Sequence, residues 1–341
     1  MRQNPTAAST RATPPPPQPP RPRRWRRRLA VVLVTVLALL AGAVLYGAYG
    51  YLPAEAGRGY RPHYTHTVAS RFVDTPVARF HYVHAGSGSP VVLLSPGAAW
   101  VIGWKEQLPV LARDHSVYVV DLPGQGYTQL HDRHFDWDLA AMTGAIGTCM
   151  DAVGVPRAAL AGNSWSGGWA LAFAQRHPER VSRLALLDAT ALDTRDVWTY
   201  EVLKYPVVGE LLTNLFGARK STTRGALDDI LIHHQRATPE LVDDVWAPLT
   251  FHDNLRANYL LERGLHWSET QRALPATHTP TLVLWGRQDK IVPVWQAERL
   301  GRLLPDARVR ILDGCGHAPQ WDCPEQVNPL LADFLRDSRG P

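Results

Sequence analysis

A chain of 341 residues with 45% hydrophobic residues, 20% charged residues and three cysteines is neither collagen-like nor disordered nor a disulfide scaffold. It suits one large α/β domain or two smaller ones. The formal charge of +5 would point towards a polyanion, but residues 1 to 28 hold eight arginines and no acid, and removing them leaves the rest at −3. The folded part therefore has no electrostatic reason to bind nucleic acid.

Residues 1 to 28 also carry eight prolines, so they read as a disordered cytoplasmic tail. Leu29 to Leu52 follows with 24 residues and no charge. As a helix this is about 36 Å, enough to cross a hydrocarbon core of roughly 30 Å. A cleaved signal peptide is the competing reading, since Ala54-Glu55-Ala56 resembles a small-x-small site, but signal cores run only to about 15 residues. A retained anchor over 29–52 is expected. Tyr46, Tyr49 and Tyr51 suit its interfacial belt, and the arginines from Arg21 to Arg28 keep the N-terminus in the cytoplasm. This predicts a single-pass protein of the cell membrane whose folded domain lies outside the cytoplasm. The run RPRRWRRR lacks the context of a twin-arginine signal. Of Cys149, Cys315 and Cys323, the last two could pair, or all could be small buried thiols.

From about residue 66 the pattern alternates short apolar runs with helical stretches. Strands are expected at His66–Asp74, Val77–His84, Pro90–Ser95, Ser116–Asp121, Ala158–Asn163, Arg183–Asp188, Thr281–Gly286 and Arg308–Gly314, the last six apolar enough to be covered on both faces. Helices are expected at Trp104–Arg113, Trp137–Val153, Trp165–His177, Trp295–Leu304 and Pro324–Arg336. This rhythm predicts a mostly parallel eight-stranded sheet flanked by helices. Residues 191–279 show no strand and read as a helical cap. They separate a first core segment, 66–190, from a second, 280–337.

The chemistry starts at Gly162-Asn163-Ser164-Trp165-Ser166, close to Gly-x-Ser-x-Gly. Small residues there permit a sharp strand-to-helix turn that exposes a hydroxyl at a helix N-terminus. Ser164 is the expected nucleophile. Ser166 stands where glycine is usual, and a second register would make Ser166 the nucleophile instead. A serine needs a base and an orienting acid. His317, in Gly314-Cys315-Gly316-His317, and Asp289, in Gly286-Arg287-Gln288-Asp289, each follow a strand at the same sheet edge. The order Ser164, Asp289, His317 is that of the α/β-hydrolase triad.

With Ser95-Pro96-Gly97-Ala98 and Asp121-Leu122-Pro123-Gly124-Gln125-Gly126, these segments resemble the α/β-hydrolase fold superfamily over about residues 66 to 337. The resemblance implies an oxyanion hole from the amides of Ala98 and Trp165. The family's His-Gly pair is replaced by Ser95-Pro96-Gly97, which makes Ala98 the less secure donor. Serine at the elbow argues against the haloalkane dehalogenases and epoxide hydrolases of this fold. The elbow and Trp285–Trp321 resemble carbon-carbon bond hydrolases of ring-cleavage products. A domain tethered outside the cytoplasm more naturally meets esters or lipids. The expectation is therefore a membrane-anchored serine hydrolase, carboxylesterase or lipase-like, working through an acyl-enzyme on a small-molecule or lipid ester. The alternatives are a carbon-carbon bond hydrolase or a non-catalytic binding module. No cofactor is expected, since no phosphate loop follows a strand. No metal is expected either, since His131 with His134, and His233 with His234, lack a third ligand.

Overall fold

The computed structural model describes residues 24–336. The chain divides into two units, 1–43 and 44–341. The first is built on α1 (Arg24–Leu45), whose side chains are exposed. Together with the turn that follows, the stretch Arg24–Gly50 holds an 18-residue window with a mean hydropathy of 2.7, so it is long and apolar enough to cross a membrane. The helix begins before the expected Leu29 because arginine is a good helix former. It gives way at Tyr46 to a wider π-type turn, Tyr46–Gly50, rather than continuing to Leu52. The tail expected over 1–28 thus falls partly on helical residues 24–28. Its remainder, 1–23, lies outside the described residues.

The second unit is a twisted sheet covered on both faces. Its strands are β1 (Arg71–Asp74), β2 (Ala78–Ala85), β3 (Ser89–Leu94), β4 (His115–Val120), β5 (Gln129–Leu130), β6 (Ala158–Asn163), β7 (Val181–Leu187), β8 (Thr281–Gly286) and β9 (Ala307–Leu312). The sheet runs β1-β2-β4-β3-β6-β7-β8-β9, with β5 paired to β2. It has nine strands rather than eight, since two-residue β5 is too short to leave a pattern in sequence. β1, β2 and β5 pair antiparallel, and all pairs from β4 through β9 are parallel. β1 is shorter than expected because His63–His66 closes a turn instead, pinned by Asp244, which accepts the amides of His63 (2.8 Å) and Tyr64 (3.0 Å).

Residues alternate between two apolar layers. Val92, Leu94, Leu160, Leu184, Leu186, Val283 and Trp285 face one, while Val91, Leu93, Ala159, Ala161, Ala185, Leu187, Leu282 and Leu284 face the other. That two-residue period with both sets buried is why these strands read as unbroken apolar runs.

Helices are inserted between the strands. The expected helix Trp104–Arg113 is only a turn at Val101–Trp104 and α2 (Leu108–Leu111). Pro109 lacks the amide that a continuous helix would need there. α3 (Leu139–Ala152) starts at Asp138, whose carboxylate accepts the Ala141 amide at 2.8 Å. Asp138→Ala should cost about 1 kcal/mol, read as a lower urea midpoint at unchanged slope. α4 (Trp165–Arg176) follows β6. Between β7 and β8 lie α5 (Trp198–Glu201), α6 (Val208–Leu212), α7 (Lys220–Ile230), α8 (Pro239–Leu249), α9 (His252–Gly264) and α10 (Ser268–Ala273). α11 (Trp295–Leu303), α12 (Pro319–Asp322) and α13 (Pro324–Arg336) complete the unit.

The sequence moves from β3 to β4 on one side and then to β6 on the other. Such a reversal opens a crevice beyond the carboxyl ends of the strands.

Candidate active site

β6 ends in the crevice at Asn163, and Ser164 turns the chain into α4 with φ +58°. A non-glycine residue in this region is strained, which marks the turn as one imposed by its surroundings. Gly162 is required beside it, because a Cβ there would lie 2.3 Å from the Ser166 carbonyl carbon. Ser166 is fully buried. Its hydroxyl accepts the Asn163 amide (3.0 Å) and lies within hydrogen-bond reach of the Leu94 and Asn163 carbonyls (3.1 and 2.9 Å). The serine that replaces the usual glycine thus ties the elbow to β3. Its hydroxyl is committed, whereas Ser164 lines the cavity.

Asp289 follows β8 and His317 follows β9. Asp289 Oδ1 accepts the amides of Ile291 (2.7 Å) and Val292 (2.9 Å), and Oδ2 meets His317 Nδ1 at 2.8 Å. That contact fixes the proton on Nδ1 and leaves Nε2 as the basic nitrogen. Both groups are buried, and His317 lines the same cavity as Ser164. No hydrogen bond joins Ser164 to His317; in serine–histidine pairs this bond commonly tightens only around substrate.

Several groups the sequence reading did not single out hold this arrangement. Asn163 Nδ2 donates to the carbonyls of His317 (2.9 Å) and Leu187 (3.0 Å), and its Oδ1 accepts from Gln320 (3.1 Å). Asp322 is fully buried and accepts the amides of Gly316 (2.7 Å), Ile232 (2.9 Å) and His233 (2.8 Å). A Cys315–Cys323 disulfide closes the histidine loop, and Cys149 is a free buried thiol. The pairing left open by the sequence is therefore made.

Asp188, at the end of β7, lies beside Asp289 and His317, with one ligand atom of each within 4.8 Å of the others. Its Oδ1 accepts the Gly286 amide (3.0 Å), while Oδ2 has no donor among the described residues. Burial, and then the neighbouring Asp289 carboxylate, push the Asp188 carboxyl well above the ordinary range. Both causes disfavour the charged form of Asp188. The available signal was its place at a strand end on the same edge as Asp289.

The loop after β3 forms the facing wall. Ser95 donates to Asp121 (2.7 Å), which also meets buried His81 Nδ1 (2.7 Å), and Gln125 donates to the carbonyls of Ser95 and Pro96 (2.9 and 2.8 Å). Gly97 packs on the Trp165 indole so closely that a Cβ would be 2.6 Å from the ring. Ala98 has φ +53°, and its amide donates to no chain acceptor among the described residues. The Trp165 amide opens α4 and donates to no chain acceptor among the described residues. Both residues border the cavity beside Ser164.

That cavity, about 950 Å³ with its open mouth, has walls from Val197, Leu227, Ile230, Val245, Leu249 and Trp321. Besides His317, it is lined by the acidic side chains Asp196 and Glu262; among the described residues neither lysine nor arginine lines it. Asp196 pairs with Lys204 at 2.6 Å. Glu262 on α9 is 5% exposed, and burial, followed by Asp196, pushes its carboxyl up to about 8. The folded chain thus holds a proton that the unfolded chain releases above about 4.5. Stability should fall as pH rises from about 4.5 to about 8 on this account. Glu262→Gln should stabilise the protein by about 1–3 kcal/mol at pH 7 and by under about 1 kcal/mol at pH 5. Urea unfolding at both values checks this, and an equal gain at both would contradict it.

Of the histidines weighed as ligands, His134 bonds Asp132, and His233 lies beside Asp322 and Cys323. The Cys323 sulfur is committed to the disulfide.

The sequence model of a family described as the alpha/beta hydrolase fold matches residues 89–324. The chain belongs to the alpha/beta hydrolase fold family. Two hydrolases of this family from Comamonas testosteroni are similar in sequence. One, a 2-hydroxy-6-oxo-6-phenylhexa-2,4-dienoate hydrolase, is 29% identical over 75% of this chain and 91% of its own. The other, a 2-hydroxy-6-oxononadienedioate/2-hydroxy-6-oxononatrienedioate hydrolase, is 30% identical with the same coverage. Among solved alpha/beta hydrolase structures, a bacterial membrane phospholipase A superposes with a TM-score of 0.67 at 25% identity, over 91% of this chain and 98% of its own. The chain is thus a hydrolase by family. Its curated relatives fit the carbon-carbon expectation better than the ester one.

Proposed function

We propose that this hydrolase is a serine enzyme anchored by its N-terminal helix, with its catalytic unit outside the cytoplasm, that cleaves uncharged apolar acyl esters. The observation that carries the ester reading is the cavity lining. A substrate named as a dienoate brings a carboxylate, and burying one without a cationic partner is costly. This cavity offers apolar walls and two acids, with no lysine or arginine among the described residues. The similarity to a membrane phospholipase A over 91% of the chain supports the same reading, as does a disulfide, which persists in oxidising compartments.

In this reading the helices between β7 and β8 are the cap. His317 Nε2 takes the proton of Ser164, Ser164 Oγ attacks the carbonyl carbon, and Asp289 stabilises the imidazolium. The amides of Ala98 and Trp165 receive the oxyanion. His317 then gives its proton to the departing alcohol and activates water to release the acid. The second reading, carbon-carbon bond hydrolysis, rests on the curated relatives.

Assay of the full chain in detergent against p-nitrophenyl esters from acetate to decanoate, beside a 2-hydroxy-6-oxo-dienoate, separates the two. Ester turnover at least about 100-fold above dienoate turnover in kcat/KM supports the first reading. The reverse ratio overturns it in favour of the second. No turnover and no fluorophosphonate labelling of a folded protein would leave a binding module.

A further inference from the structure

We infer that the segment from Trp198 to Gly217 of the helical insertion rests on the bilayer surface, so that the cavity takes its substrate from the membrane rather than from bulk water. This rests on the anchored reading above and adds to it a docking surface, whose partner is lipid.

The first observation is a contact within the catalytic unit. The π-type turn Tyr46–Gly50 packs against α6 and the turn that follows it. Gly47 fits against Leu211 so tightly that a Cβ would lie 2.5 Å from its Cδ1, and Asn214 Nδ2 donates to the carbonyls of Gly47 (3.2 Å) and Ala48 (2.9 Å). Those are carbonyls that a helix end leaves without partners. Gly47 is three residues from Val44, in the apolar stretch itself, a distance of about 5 Å at helical rise. Where that stretch enters a membrane, α6 is held at the surface.

The second observation is what the neighbouring residues expose. Trp198 is 78% exposed and Tyr205 60%, and Val208 and Phe216 are exposed as well. Tyr46 and Tyr49 are exposed on the turn. Tryptophan and tyrosine combine an apolar body with a polar tip and concentrate at membrane interfaces. Arg219, also exposed, holds its guanidinium 4.7 Å from the Phe216 ring centre, within reach of anionic headgroups. The third observation ties this surface to the site. Asp196, Val197 and Tyr200, which flank Trp198, line the cavity. A segment that exposes these aromatics and is tied to the turn at Gly47 and Ala48 fits a lipid surface.

The test uses the full chain in phosphatidylcholine–phosphatidylglycerol vesicles. Single thiols are placed by Trp198→Cys, Phe216→Cys and, at an exposed position of β9, Arg310→Cys, and each is labelled with an environment-sensitive fluorophore. The native cysteines are buried or paired. Brominated acyl chains are expected to quench the labels at 198 and 216 at least threefold more than the label at 310. Trp198→Ser combined with Tyr205→Ser is expected to lower the ratio of vesicle-ester to soluble-ester turnover about tenfold. Equal quenching at all three sites in protein that stays in the vesicles through alkaline wash overturns the inference while leaving the anchor intact. Release by that wash overturns the anchored reading itself. Quenching that grows with protein-to-lipid ratio but not with bromination would place a second copy of the chain on this face, and also overturns the inference.

Discussion

Ser164→Ala is expected to lower kcat/KM on a p-nitrophenyl ester by at least about 10⁴-fold, with fluorophosphonate labelling lost. The loss is large because the neighbouring serine of the elbow cannot take over. Ser166 Oγ is buried and committed to the elbow, so the variant keeps its turn but has no nucleophile. A second substitution separates chemistry from fold. Ser164→Gly should be equally inactive yet more stable by about 1 kcal/mol, since glycine accepts the φ of +58° that serine holds under strain. Calorimetry beside the assay reads both effects. Labelling retained in Ser164→Ala would move the nucleophile elsewhere.

Asp322→Ala is expected to be the most damaging substitution for stability, at about 3–5 kcal/mol. The carboxylate accepts three backbone amides, those of Ile232, His233 and Gly316, and also meets His233 Nδ1 at 2.9 Å. Alanine would leave buried donors without partners, the costly direction of hydrogen-bond loss. At this size the change corresponds to a fall in Tm of about 6–20 °C. Because Gly316 precedes His317, kcat on the ester should fall at least about tenfold with a smaller change in KM. Asp322→Asn, which keeps one acceptor oxygen, should lose about half as much stability. Unchanged kcat in a destabilised Asp322→Ala protein would show that the histidine loop is positioned without it.

The features legible in sequence share a physical cause. β6 and β8 have the boundaries expected of them, since strands buried on both faces announce themselves as short apolar runs with abrupt polar ends. Ser164, Asp289 and His317 could be named because turn chemistry at strand ends is local: small residues around Ser164, and glycines before Asp289 and His317. What escaped depends on distant partners. Nothing near Asp322 in sequence reveals that Ile232 and His233 will come to it, and Asn163 looked like part of the elbow before its bond to the His317 carbonyl was visible. The early strand His66–Asp74 was too long because Asp244, far along the chain, draws the backbone of His63 and Tyr64 into a turn. Asp188 is intermediate: its strand-end position was visible, but the rise of its carboxyl depends on burial and on Asp289 lying beside it.

The disulfide that encloses His317 has a thermodynamic meaning of its own. A covalent link across a separation of eight residues removes freedom from the unfolded chain, worth roughly 2–3 kcal/mol. That saving falls on the segment that holds His317 against Asp289. The imidazole is therefore carried by a stretch with little disorder left to lose.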